Sequence, residues 1–127
     1  MATQQPGFSI GTLTAAADLS AKQFYAVRVS AAQQVNVPGS AGLAILGILQ
    51  NKPESGKVAD VMVTGVTKVK AGAAISAGAR VMADNGGKII TLATSGSVGI
   101  GFALEAAGAD GDIISIALNA TAGDQES

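Results

Sequence analysis

Histidine, cysteine and tryptophan are all absent from this chain, and each absence removes a class of chemistry. Without histidine there is no ordinary general base at neutral pH and no imidazole metal ligand. Without cysteine there is no thiolate nucleophile and no disulfide, the redox compartment leaves no trace, and stability beyond packing must come from association. Aromatic residues are 3% of the chain, with three Phe and one Tyr, so stacking platforms for sugars are scarce. Charged residues are 13%, the formal net charge is −1, and Lys and Arg are scattered along the sequence. No basic stripe forms, so no nucleic-acid partner is expected. Weak self-repulsion favours association with a partner or with further copies. The longest apolar stretch, residues 41–49, is interrupted by Gly42 and Gly47 and is too short to span a bilayer, so no membrane partner is expected. Residues 1–7 lack a basic segment followed by an apolar run, so they read as no signal peptide, and a soluble protein made in a cytoplasm is expected.

What remains is a chain of 127 residues, 48% apolar, whose apolar residues are mostly Ala, Val, Ile and Leu. That length fits one domain, and that composition suits tightly packed sheets. Period-2 alternation and turn signals place strands at residues 24–29, 34–37, 43–50, 57–64, 66–70, 80–83, 88–93, 98–105 and 112–119. Gly47 reads as a bend or bulge. Asp84-Asn85-Gly86-Gly87 contains Asn-Gly, the signal of a type I′ hairpin turn. Residues 53–56, 95–97 and 108–111 read as turns, and 71–78 as a small-residue connection. Helix-friendly composition is confined to two short stretches, 14–21 and 104–107. The fold class is therefore all-β: a small barrel or sandwich.

Residues 1–20 are less patterned. They read either as an ordered first strand or as an extended arm lying on a neighbour. The arm is the expectation adopted, with Pro6, Phe8, Ile10 and Leu13 as its contact residues. The remaining division is a barrel over 21–120 and a flexible tail over 121–127.

The barrel sequence echoes itself. Leu46-Gly47-Ile48, a turn at 53–56 and an alternating strand to Val63 are matched by Ile100-Gly101-Phe102, a turn at 108–111 and an alternating strand to Leu118. Leu19-Ser20-Ala21 is likewise matched by Ile75-Ser76-Ala77. Two related β units, about 21–66 and 67–120, are expected, with chance likeness in an Ala/Gly/Val-rich chain as the alternative.

Candidate chemistry is sparse. Asp110 and Asp112 flank Gly111 but lack the further carboxylates of a calcium loop, so a solvated turn is expected. Gly99-Ile100-Gly101 has neither the downstream glycine nor the helix of a phosphate loop. Tyr25 and Arg28 pair an aromatic with a cation but have no basic patch around them. Lys68 and Lys70 lie in a strand, not at the turn tip a lipoyl-type carrier would need. Glu105 ends an apolar strand, where it would pair with a cation or face a partner. No catalytic residue, metal ligand or cofactor-binding residue is expected, and no cofactor.

Residues 69–81 (Val-Lys-Ala-Gly-Ala-Ala-Ile-Ser-Ala-Gly-Ala-Arg-Val), Gly86-Gly87-Lys88-Ile89, residues 98–107 (Val-Gly-Ile-Gly-Phe-Ala-Leu-Glu-Ala-Ala) and residues 111–116 (Gly-Asp-Ile-Ile-Ser-Ile) resemble the capsid cement, or head decoration, proteins of tailed bacteriophages, of the lambda-head-decoration type. The likeness covers about half of the chain directly, and the first half only through the internal echo. The resemblance implies a β-barrel of the β-tulip kind, a homotrimer, and a place on the outer surface of the virion capsid. It implies the major capsid protein as partner, with neighbouring subunits bridged, and it brings no catalytic residue with it. On that reading the arm orders on the capsid, and deleting residues 2–13 leaves a folded barrel that no longer binds. The alternative function is a carbohydrate- or receptor-binding β module of a fibre or adhesin.

Overall fold

The computed structural model describes residues 8–92 and 98–118. Among the described residues there are nine strands and no helix: β1 Phe8–Ala15, β2 Ala26–Ala31, β3 Gln34–Asn36, β4 Gly47–Leu49, β5 Val58–Lys70, β6 Arg80–Ala83, β7 Ile89–Thr91, β8 Gly101–Ala103 and β9 Ile113–Leu118. The expected turn at 95–97 and the expected tail at 121–127 lie outside the described residues, as does Pro6.

The sheet runs in the order β1-β3-β2-β4-β5-β9-β8-β6-β7, and β1 also pairs with β5. That extra pairing closes the first five strands into a small barrel. β5 then continues into a second set of strands, where its later residues pair with β9 from Gly65↔Leu118 to Lys70↔Ile113. A parallel bridge between Ala71 and Ile89 brings β7 back to the end of β5. The two segments expected at 57–64 and 66–70 are thus one strand, shared by both barrels.

The internal echo is a duplication of hydrogen bonding. Leu46 N donates to Val27 O and Ile100 N donates to Val81 O, both at 2.9 Å. Phe24 N donates to Leu49 O at 2.7 Å, and Gly78 N donates to Ala103 O at 2.8 Å. Ala15 N reaches Lys57 O at 2.9 Å, and Ala71 N reaches Asp112 O at 2.8 Å. The register agrees: Val27 faces Gly47 as Val81 faces Gly101, and Ala26 faces Ile48 as Arg80 faces Phe102. β1 and the later part of β5 are therefore equivalent strands.

Gly47 and Gly101 are equivalent residues doing one job. A Cβ on Gly47 would collide with the carbonyl of Met62, and one on Gly101 would collide with the carbonyl of Ala117. Gly47 was expected to mark a bend or bulge, but the pairing runs through it without a register shift. Its absent side chain is what lets β4 and β5 approach.

Several expected boundaries move. β2 starts at Ala26 because Phe24 takes a left-handed backbone, φ +70°. Residues 43–46 are not strand: the segment before them runs along the second barrel, with Gly39 N on Asn85 O and Gly42 N on Ala83 O, both at 2.9 Å. Leu43 is consequently 41% exposed. β8 likewise covers only three of the residues expected at 98–105.

The hairpin after β6 is not type I′. Of Asn85, Gly86 and Gly87, only Gly87 has positive φ, +95°. Gly87 N donates to Asp84 O at 3.2 Å and Asp84 N to Lys88 O at 2.8 Å, so the loop is a four-residue turn followed by a left-handed glycine. Asp84 holds it, its Oδ1 accepting from Gly86 N at 3.0 Å and Lys88 N at 2.9 Å.

The arm expected over residues 1–20 is, from Phe8 onward, the first strand of the first barrel. β1 pairs with β5 from Phe8↔Thr64 to Thr14↔Val58 and with β3 at Thr14 and Ala15. Leu13, Ala15 and Leu19 are buried in the core of that barrel with Val27, Val35, Leu49, Ala59 and Val61. A free arm would forfeit this burial and leave a sheet edge unpaired. Deleting residues 2–13 would remove most of β1, so the deletion does not leave the barrel intact.

The second core holds Val69, Ala71, Ile75, Val81, Ile89, Ile114, Ile116 and their neighbours, together with Ala26, Ile48 and Met62 from the first barrel. These three side chains form one row across β2, β4 and β5. Their sequence neighbours Val27, Leu49 and Val61 point the other way, into the first core. The wall is therefore buried on both faces, which explains its continuous apolar sequence.

Two predictions follow from the duplication. Gly47→Ala and Gly101→Ala should each destabilise by about 2 kcal/mol or more, since the strand must move away from a backbone carbonyl. Chemical denaturation of each variant checks this. Gln33 (φ +60°) occupies the place that Gly87 holds in the second barrel, and it is exposed. Gln33→Gly should be neutral or raise stability by up to about 1 kcal/mol. Gly87→Ala should be costly, because its Cβ would lie 2.6 Å from Ala26 O. A thermal or denaturant melt that ranks these two the other way would contradict the equivalence.

Candidate interaction surface

The buried polar groups of this protein are structural. Thr67 is fully buried; its Oγ1 accepts from Gln50 Nε2 at 2.9 Å and donates to Lys68 O at 3.0 Å. Glu105, which was expected to pair with a cation or face a partner, accepts from Ser115 N through Oε2 at 3.0 Å. Asp112 caps its own turn, with Oδ2 accepting from Gly108 N at 2.8 Å and Ala109 N at 3.2 Å. Asp110 meets Lys88 Nζ at 2.9 Å on the surface. That carboxylate, with desolvation opposing it, raises the Lys88 pKa above its ordinary value. No group of three or more potential metal-ligating side chains exists among the described residues. No buried side-chain nitrogen or oxygen among them lacks a partner.

The four expected arm contacts separate. Pro6 lies outside the described residues. Phe8 begins β1 and is 64% exposed, the most exposed large apolar side chain described. Ile10 is half-buried and packs against the first core. Leu13 is 7% exposed and belongs to that core. The structure thus leaves Phe8 available for contact and commits Ile10 and Leu13 inward.

Other exposed apolar residues were not singled out in the sequence. Val58 (55%) and Ile113 (39%) begin β5 and β9 and are equivalent residues of the two barrels. Val29, Phe102 and Leu104 are also exposed. The only sequence signal for them is their parity: each stands at a strand position, or just past one, where alternation alone cannot say whether a face is covered.

Lysines that are scattered in sequence converge in space. An open depression of about 330 Å³ is lined by Phe24, Tyr25, Lys52, Lys70 and Ile113, with Ser20, Ala21 and Gln23. Lys22 Nζ sits 4.8 Å from the Tyr25 ring centroid, and Lys68 Nζ sits 5.9 Å from the Phe24 ring centroid. Each cation faces an aromatic ring, an arrangement that orients the lysines without neutralising them. The surface there is cationic although the chain as a whole is weakly acidic. A second, apolar cleft of about 110 Å³ lies between the barrels, lined by residues 44–46 and Val63 of one and by their equivalents, residues 98–100 and Leu118, of the other.

The arrangement offers surfaces rather than a reaction centre: exposed apolar side chains repeated on both barrels, one cationic depression, and rigid backbone beneath them. No curated protein sequence matches the chain. Among solved structures, the N base of head fiber gp8.5 of bacteriophage phi29 has a similar fold. Its TM-score is 0.67 at 14% identity, over 94% of this chain and 98% of that one. At that identity the likeness shows the fold, an all-β small barrel. The model of the phage cement proteins matches residues 4–119, nearly the whole chain, and so spans both barrels. The chain belongs to the phage cement protein family, and its role is that of a structural component of the virion.

Proposed function

We propose that this protein stabilises a phage head from its outer surface by bridging neighbouring major capsid protein subunits, and that it does so as a homotrimer without catalysing a reaction. The observation that carries the reading is the duplication. One rigid chain presents the same exposed β-strand start twice, at Val58 and at Ile113. A body with two like contact points suits a lattice of like subunits, because the second contact forms at the high effective concentration set by the first. A molecule that binds only the assembled shell also stabilises it by mass action. Trimeric state and outer placement are supported by the resemblance to head decoration proteins.

The N-terminal contact narrows to Pro6 and Phe8, since Ile10 and Leu13 are used by the core. A carbohydrate- or receptor-binding module of a fibre is the second reading, favoured by the likeness to a head-fibre base. Glycan-array binding by the purified protein, with no retention on heads, would favour it over cementing.

Co-sedimentation with heads assembled from the major capsid protein tests the proposal. Wild-type protein should pellet with expanded heads and raise their melting temperature. Val58→Asp and Ile113→Asp should each weaken retention, and the double variant should lose it, because burying a Val or Ile is worth about 1.5–3 kcal/mol, or about ten- to a hundredfold per site. Phe8→Asp should weaken retention by a comparable factor. These positions are exposed, so the variants should keep the wild-type melting temperature when free. Undiminished retention of the double variant would reject the two-point contact.

A further inference from the structure

The two barrels are joined by an interface that the molecule uses once and offers again. Inside the chain, the outer wall of the first barrel, Ala26, Ile48 and Met62, lies against the core of the second. The equivalent wall of the second barrel is Arg80, Phe102 and Ala117, read from the same register. Nothing described covers it: Phe102 is 39% exposed where Ile48 is fully buried. The receiving side shows the converse. Ala83 and Leu118 of the second barrel are 0% and 6% exposed under the first barrel, whereas their equivalents in the first barrel, Val29 and Val63, are 51% exposed and half-buried.

Each free end therefore carries exposed apolar residues at the positions that the internal junction buries. The wall of the second barrel lacks a receiving face, and the first barrel lacks a covering wall. The surface that fits both is this chain's own. We propose that copies of this chain associate head to tail, the Phe102 wall of one copy covering the Val29 side of the first barrel of the next, in an imitation of the junction inside each chain. Such an interface is heterologous, so it joins two different patches and closes as a ring when the rotation between barrels allows it. Three copies would place six barrels around that ring. The backbone detail agrees. Ala26 N donates to Gly87 O at 2.7 Å across the internal junction, and the equivalents, Arg80 and Gln33, stand at the two free ends. Gly87 must be glycine because Tyr25 and Ala26 press on it, whereas Gln33 is exposed in the free chain. The inference rests on the duplication alone and does not depend on binding to heads.

The test is a mixing experiment on the full chain. Wild-type protein should show a concentration-dependent mass above the monomer by sedimentation equilibrium. Phe102→Lys (wall) and Val29→Lys (receiving side) should each lower the oligomer mass, with melting temperatures near wild type, since both side chains are exposed. An isolated variant retains both patches, only one of them intact, and so should be monomeric. Mixed in equal amounts, the two should form a dimer and nothing larger, because only one wall and one receiving side remain intact between them. A wild-type monomer at every accessible concentration would overturn the proposal. So would a mixture that stays monomeric, because a single interface shared by identical patches is not rescued by mixing. Retention on heads, measured separately, reports on the capsid reading and not on this one.

Discussion

The row Ala26, Ile48 and Met62 is the contact on which the rest of the molecule depends. It is the outer face of one barrel and the lining of the next core at once. Fully burying Ile48 and Met62 is worth about 1.5–3 kcal/mol each, on the scale of a small domain's net stability. That row is available only because β4 lies tight against β5, and β4 lies tight because Gly47 has no side chain to collide with Met62. The second barrel repeats the arrangement at Gly101, but its wall faces outward. One packing rule used twice thus yields a closed junction inside the chain and an open surface at its end.

Sharing β5 has a mechanical consequence. A linker between the barrels would let them move independently, whereas a continuous strand, hydrogen-bonded on both sides along its length, fixes their relative geometry. Cementing needs such a body: contact points at a set spacing engage a lattice at little entropic cost, and the same contacts on a flexible pair would cost more to order. The few charges are consistent with this division of labour. Those that the structure describes cap turns, pair at the surface or gather around Phe24 and Tyr25, and none is buried without a partner.

Much of the fold was legible in the residues. Alternation located most strands, and the Leu-Gly-Ile and Ile-Gly-Phe echo located equivalent positions, because a backbone contact that tolerates only glycine leaves the same mark wherever it recurs. The first strand was harder to read. Phe8, Ile10 and Leu13 do not alternate regularly, because the ladder between β1 and β5 shifts register twice along those residues. A broken period reads as an arm even when the strand is paired. The turn at Asp84 was misjudged for a related reason: Asn-Gly suits a type I′ turn, but the side chain of Asp84 and the crowding of Gly87 by Ala26 select another geometry.

The sequence by itself determined what this protein is made of and what it lacks. Without His or Cys, and with a core of small and branched side chains, it specified sheets, turns and duplication, since these follow from local sterics and periodicity. Only the tertiary structure decided which apolar faces are spent and which are left over. Ile48 and Phe102 stand at equivalent positions in equivalent strands, and nothing local distinguishes a covered apolar residue from an exposed one. The difference comes from what lies across from each: a second barrel over the first, and open surface over the second.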